Sequence, residues 1–190
     1  MHTSSTRSEH QAEYHELHRA VGRALSTWVG VEMQLAQTFH IALGARDGRV
    51  SYAVFDAAVS LQAKISMVDT AVSWAVDSRE LAHLQTEWKA LHKRSKNLTT
   101  LRNKLAHWQV VIVSTNCDAN GDSKSAGVRL RRTDLSGDGN NYDPRTHLND
   151  GLNLRQLDSA AQDFQALAYA VFQFGESLRV TLMSAAKPPA

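Results

Sequence analysis

Apolar residues recur along most of this chain at three- and four-residue spacing, the period of an α-helix buried on one side. Tyr14, Leu17, Val21, Ala24, Trp28, Leu35 and Phe39 form the first stripe and predict a helix over about 10–43, with Gly44 as its stop. A second stripe comprises Val54, Ala58, Leu61, Ile65, Val68, Val72 and Ala75, and a third Leu81, Leu84, Trp88, Leu91, Leu98 and Leu105. The joins between stripes, at 45–49 and 77–79, are short, and short joins predict antiparallel neighbours. The period then changes. Residues 108–115 are β-branched and apolar, 126–133 alternate, and turn residues fill 116–125, which predicts a β-hairpin. A loop rich in Gly, Asn and Asp covers 134–153, and Asn153 with Gln156 has the spacing of a capping box. The fourth stripe follows it: Leu154, Leu157, Ala161, Phe164, Ala168, Val171 and Leu178.

Four amphipathic segments bury their apolar faces most simply against one another. The expected fold is therefore all-α, an antiparallel bundle of four long helices with the β-hairpin (about 108–133) inserted between helices three and four. It is expected as a single helical domain over 10–184, with a flexible start at 1–9 and a disordered tail at 185–190. The only prolines, Pro144, Pro188 and Pro189, lie outside all four helices.

Composition excludes more than it assigns. The chain has 190 residues, 43% of them hydrophobic, enough for a packed core and too many for a disordered chain. Its one cysteine, Cys117, cannot form an internal disulfide, so a cytoplasmic location is the expectation. The polar start lacks the apolar core of a secretory leader, and no membrane partner is expected. Formal charge is +2, with 21 basic residues against 19 acidic ones, but the distribution is uneven. Residues 88–107 hold six bases and no acid, leaving fifteen bases against nineteen acids elsewhere.

Within that segment Lys89, Lys93, Lys96, Lys104 and His107 fall in a sector roughly 80° wide on a helical wheel, opposite the apolar stripe. A solvated lysine face is the plain reading of such a strip, and a surface for RNA phosphates is the functional one. Arg102 is different, because it falls on the apolar stripe between Leu98 and Leu105. A guanidinium inside a helical domain needs an anion or water. Glu32 falls on the first stripe between Trp28 and Leu35 and is the expected partner, facing Arg102. The pair is either a buried ion pair that specifies the fold, or a support that orients Arg102 toward a ligand phosphate.

Arg102-Asn103-Lys104-Leu105-Ala106-His107, closing the third amphipathic helix, resembles the R-x4-H motif of HEPN domains. The motif covers six residues, and the similar architecture runs from about Tyr14 to Leu178. The resemblance implies a metal-independent endoribonuclease of stress, defence or toxin–antitoxin type, acting as a homodimer without a cofactor, with a regulatory protein or antitoxin as a further partner. Arg102 would bind the scissile phosphate, His107 would serve as general base or acid at the ribose 2′-hydroxyl or the leaving oxygen, and Asn103 would support the site. The alternative is a non-catalytic module of the same build that binds RNA or a protein. Some toxins of the family carry a modifiable Tyr two residues after the His; here Trp108 and Gln109 follow, so that mode of control is not expected.

Residue chemistry is compatible with cleavage. An imidazole titrates near neutrality, and Arg donors stabilise charge developing on a phosphate. A five-residue offset turns Arg102 and His107 about 140° apart on one helix. A site shared across a two-fold axis removes that difficulty. Other clusters carry less. His10, His15 and His18 lack the spacing of a zinc motif, and 118–129 lacks the Gly and Glu of a calcium loop. Cys117 reads as an ordinary thiol, and Trp28, Trp74 and Trp88 read as core. Arg129, Arg131 and Arg132 extend a basic surface or guard a strand edge.

Overall fold

A computed structural model describes residues 3–45, 47–77, 81–117, 123–132 and 151–185. The chain is mostly helical, with one two-stranded antiparallel sheet. The order is α1 (Thr3–Leu43), α2 (Gly48–Ala57), α3 (Leu61–Asp77), α4 (Ala82–His107), β1 (Gln109–Cys117), β2 (Ser123–Arg131) and α5 (Leu154–Ala185). The turn at 118–122, the loop at 133–150, the join at 78–80 and the tail at 186–190 lie outside the described residues.

Local chemistry accounts for the boundaries. Helix α1 starts at Thr3, ahead of the expected start near residue 10, and no proline or glycine precedes Gly22 to interrupt it. It stops where Gly44 turns to φ +60° and donates to the Ile41 carbonyl at 3.0 Å. The second expected helix is two helices. Ala58 is extended, Val59 is fully exposed, and Ser60 restarts the chain by accepting from Ala63 N–H at 3.1 Å. Because α2 is separate, its buried side is Ser51 and Phe55, and Val54 faces solvent. Asp47 caps α2 through Arg49 N–H at 2.9 Å, and that hydrogen-bonded guanidinium holds the carboxyl below the usual carboxylate range. The capping box forms as expected: Asn153 and Gln156 exchange bonds of 2.9 Å at the start of α5.

The chain divides into two compact units. The first comprises residues 1–26 and 102–161. It buries Leu17, Ala20, Ala24, Leu105, Val128, Leu130, Leu157 and Ala160. Its hairpin pairs Gln109 with Arg131 and Val110 with Leu130, with irregularities after Val113 and Thr115. Leu130 and Leu152 also exchange backbone bonds at 2.9 and 2.8 Å. Gly151 makes that approach possible: it has φ +118°, and a Cβ there would lie 2.8 Å from the Leu130 carbonyl oxygen.

The second unit comprises 27–101 and 162–190. Trp28 meets Phe164 edge to face at 4.9 Å, and Trp88 packs on Phe174 at 5.2 Å. The gaps in the α4 stripe are filled by buried Ser95, between Leu91 and Leu98, and by buried Thr99, between Leu98 and Leu105. Their hydroxyls donate to the carbonyls of Leu91 and Ser95, at 2.9 and 2.8 Å, so the core accepts them without an unmet donor. Trp74 is not core: it is 67% exposed, because it sits about 160° from Val72 on the α3 wheel.

Candidate active site

The last turn of α4 belongs to the first unit and carries the motif. Leu105 anchors it, with 2% of its surface exposed, and Trp108 N–H closes it on the Lys104 carbonyl at 2.9 Å. With Leu105 inward, Asn103, Lys104, Ala106 and His107 are exposed. Arg102 is half-buried. Its Nε is buried and has no hydrogen-bond partner among the described residues, and Nη1 reaches only Asn103 Oδ1, at 3.4 Å. A guanidinium keeps its charge in any such setting, so its donors are suited to an incoming anion. Asn103 is the motif residue that touches it.

Glu32 is not that anion. It lies in the second unit, where its Oε1 accepts from Trp28 Nε1 at 3.0 Å and its Oε2 from Lys64 Nζ at 3.2 Å. The expected Glu32–Arg102 pair is thus replaced by a Glu32–Lys64 pair, with Lys64 also over the Phe55 ring at 5.1 Å. The Lys64 ammonium on α3, in the same unit, takes the carboxylate. Glu32 and Lys64 also line a cleft of about 440 Å³ with Val29, Met33 and Phe55. Glu32 and Lys64 pair with each other there, and Asp56 adds a second carboxylate to the lining.

The remaining predicted side chains are where the wheel put them. Lys89, Lys93 and Lys96 are exposed in the second unit, and Lys104 in the first, its ammonium 5.1 Å from the Trp108 ring centroid. The amino-terminal histidines make ordinary contacts: His10 lies 3.9 Å from Glu13, and His18 packs edge-on against Tyr14 at 4.4 Å. Among the described residues no group of three or more His, Cys, Asp or Glu is placed to hold a metal ion. No helix among them is long and apolar enough to cross a membrane.

Two arrangements were not read from the sequence. Asp69 Oδ1 accepts from Trp88 Nε1 at 2.9 Å and lies 3.2 Å from His92 Nδ1, which fixes a tryptophan on the α4 core face. In the first unit a cleft of about 340 Å³ is lined by Tyr14 and His18 of α1 with Trp108, Gln109, Val110 and Leu130. Its signal in the sequence was an aromatic directly after the motif histidine, facing a hairpin whose apolar side was already legible. No protein-family model matches the chain, and no curated protein or solved structure matches it either.

Proposed function

We propose that this protein is a HEPN-like, metal-independent endoribonuclease built as an antiparallel helical bundle, in which Arg102 and His107 cut RNA as a homodimer. The carrying observation is Arg102, a half-buried guanidinium whose buried Nε has no hydrogen-bond partner, and which pairs with no carboxylate, among the described residues. A group kept in that condition is costly to the fold unless something else uses it. A phosphodiester is an anion whose two non-bridging oxygens suit the planar fork of a guanidinium. His107, exposed on the same last turn, provides the proton transfer.

In the proposed reaction an imidazole takes the proton of a ribose 2′-hydroxyl, whose oxygen attacks the adjacent phosphorus. The 5′-oxygen leaves and collects a proton from the imidazolium so formed. Arg102 neutralises the charge gathering on the non-bridging oxygens. Asn103 steadies the guanidinium, and Lys89, Lys93, Lys96 and Lys104 add attraction for the backbone that weakens with salt. An antitoxin or regulatory protein remains a proposed partner of this reading.

A surface suited to a second copy is present on α5. Tyr169, Phe172, Val180 and Met183 are 41–63% exposed and lie seven and four residues either side of Glu176. That spacing is symmetric, so two α5 helices running antiparallel would set Tyr169 against Met183 and Phe172 against Val180. Arg179, 2.7 Å from Glu176, holds that carboxyl below the usual carboxylate range and offsets its charge at the centre.

The test is incubation of the purified protein with a single-stranded RNA in EDTA. Fragments ending in 2′,3′-cyclic phosphate are expected. Intact RNA, or cleavage only after a divalent ion is added, contradicts the reading. Intact RNA bound in a salt-sensitive complex would favour the non-catalytic module instead.

A further inference from the structure

We infer that the cleft beside the motif is a nucleobase pocket, which seats an unpaired base of the RNA strand next to the phosphate being cut. The inference rests on the nuclease reading for its substrate, but on separate residues for its chemistry. The cleft is formed by Tyr14 and His18 of α1 and by Trp108, Gln109, Val110 and Leu130 at the base of the hairpin, and holds about 340 Å³. That volume is at the lower end of the range for small-molecule sites, about 300–1,000 Å³, suited to a base and its sugar and too small for a folded peptide element.

Its lining selects the same ligand. Three side chains are aromatic rings, and Tyr14 and His18 already meet edge to face at 4.4 Å, which holds both in place. Val110 and buried Leu130 are aliphatic. The polar groups are the Tyr14 hydroxyl, the His18 imidazole and the exposed Gln109 amide, and no carboxylate is among the described lining residues. Rings with a few polar donors and acceptors match an uncharged heteroaromatic that stacks on its faces and bonds at its edges. An acyl chain would leave those polar groups unused.

Position joins the cleft to the chemistry. Trp108 follows His107 directly, and its N–H is tied to Lys104, so a wall of the pocket is fixed one residue from the imidazole. The Lys104 ammonium, 5.1 Å from the centre of the same indole, is a cation at the edge of a base site, where the attached phosphate needs one. Trp108 and Gln109 thereby act as positioning and specificity residues, and neither takes part in proton transfer.

The test measures binding without cleavage. Fluorescence anisotropy at low salt would follow a labelled hexanucleotide of 2′-deoxyriboses, which lack the attacking hydroxyl, and versions carrying one abasic position in turn. Abasic strands keep every phosphate, so the backbone attraction is constant. One position is expected to lose about tenfold in affinity when its base is removed. Trp108→Ala and Tyr14→Ser should bind the complete strand about tenfold more weakly and show no abasic effect. Gln109→Ala, at an exposed position that does not hold the fold, should alter the ranking of the four bases. Equal affinity for all abasic strands overturns the inference, as does Tyr14→Ser or Trp108→Ala keeping the wild-type abasic loss. RNA cleavage with a flat abasic response would remove the pocket and leave the nuclease. Abasic-sensitive binding without RNA cleavage would do the reverse. Failure to bind any strand overturns the inference and, if RNA also stays intact, the nuclease reading with it, leaving the cleft to a protein partner.

Discussion

His107→Ala should lower RNA cleavage by about 10²–10⁴-fold while leaving RNA binding and the melting temperature near wild type. The side chain is exposed on the last turn of α4. Its removal takes a proton carrier from the reaction and little from the core. Arg102 should separate function from stability more sharply. Its Nε is buried without a partner, and Glu32 is already engaged by Lys64 and Trp28. Arg102→Met keeps the aliphatic stem and removes the unmet donor, so it should abolish cleavage and raise the unfolding free energy by about 1 kcal/mol in a urea titration. A loss of stability of that size would instead make Arg102 a structural residue, and unchanged cleavage by either variant would remove it from the site.

The second large effect concerns the fold. Trp28→Ala should cost about 3–5 kcal/mol, a large share of the stability of a typical domain. Trp28 is 1% exposed, meets the Phe164 ring at 4.9 Å and donates to Glu32 at 3.0 Å. Its removal leaves a cavity and takes one donor from a partly buried carboxylate. Trp28→Phe retains most of the ring contact and should cost about half as much or less. Urea midpoints of the two variants check this, and a Trp28→Ala midpoint matching wild type would contradict the packing described for the second unit.

What could be read from the sequence was whatever is decided locally. Gly44 ends α1 because left-handed backbone suits glycine, and Asn153 with Gln156 starts α5 because the two side chains cap each other; neither needs a distant partner. The hairpin was legible for the same reason, through alternation and turn residues. The break at 58–60 was not, because the apolar period runs on through Ala58. Burial of Phe55 rather than Val54 is settled by what α2 packs against. Trp74 is exposed because its angle on the α3 wheel, not its size, decides its face. The exposed lysines and the half-buried Arg102 followed from helical phase alone. Glu32 shows where phase runs out: a wheel gives the face that a charge occupies, but not the cation it meets, which is Lys64. The ring-lined cleft at Trp108 was beyond reach for a related reason, since it joins residues about ninety positions apart in the chain.

The central claim is a composite site that needs both Arg102 and His107 and is shared by two chains. Complementation measures this directly: Arg102→Ala and His107→Ala chains, each purified, are unfolded together, refolded as a mixture and assayed for RNA cleavage in EDTA. Each variant alone is expected to be inactive, whereas mixed dimers, holding one wild-type Arg102 and one wild-type His107 in a shared cleft, regain cleavage with 2′,3′-cyclic phosphate ends. A mixture as inactive as its components, or full activity in either variant alone, would contradict the shared site.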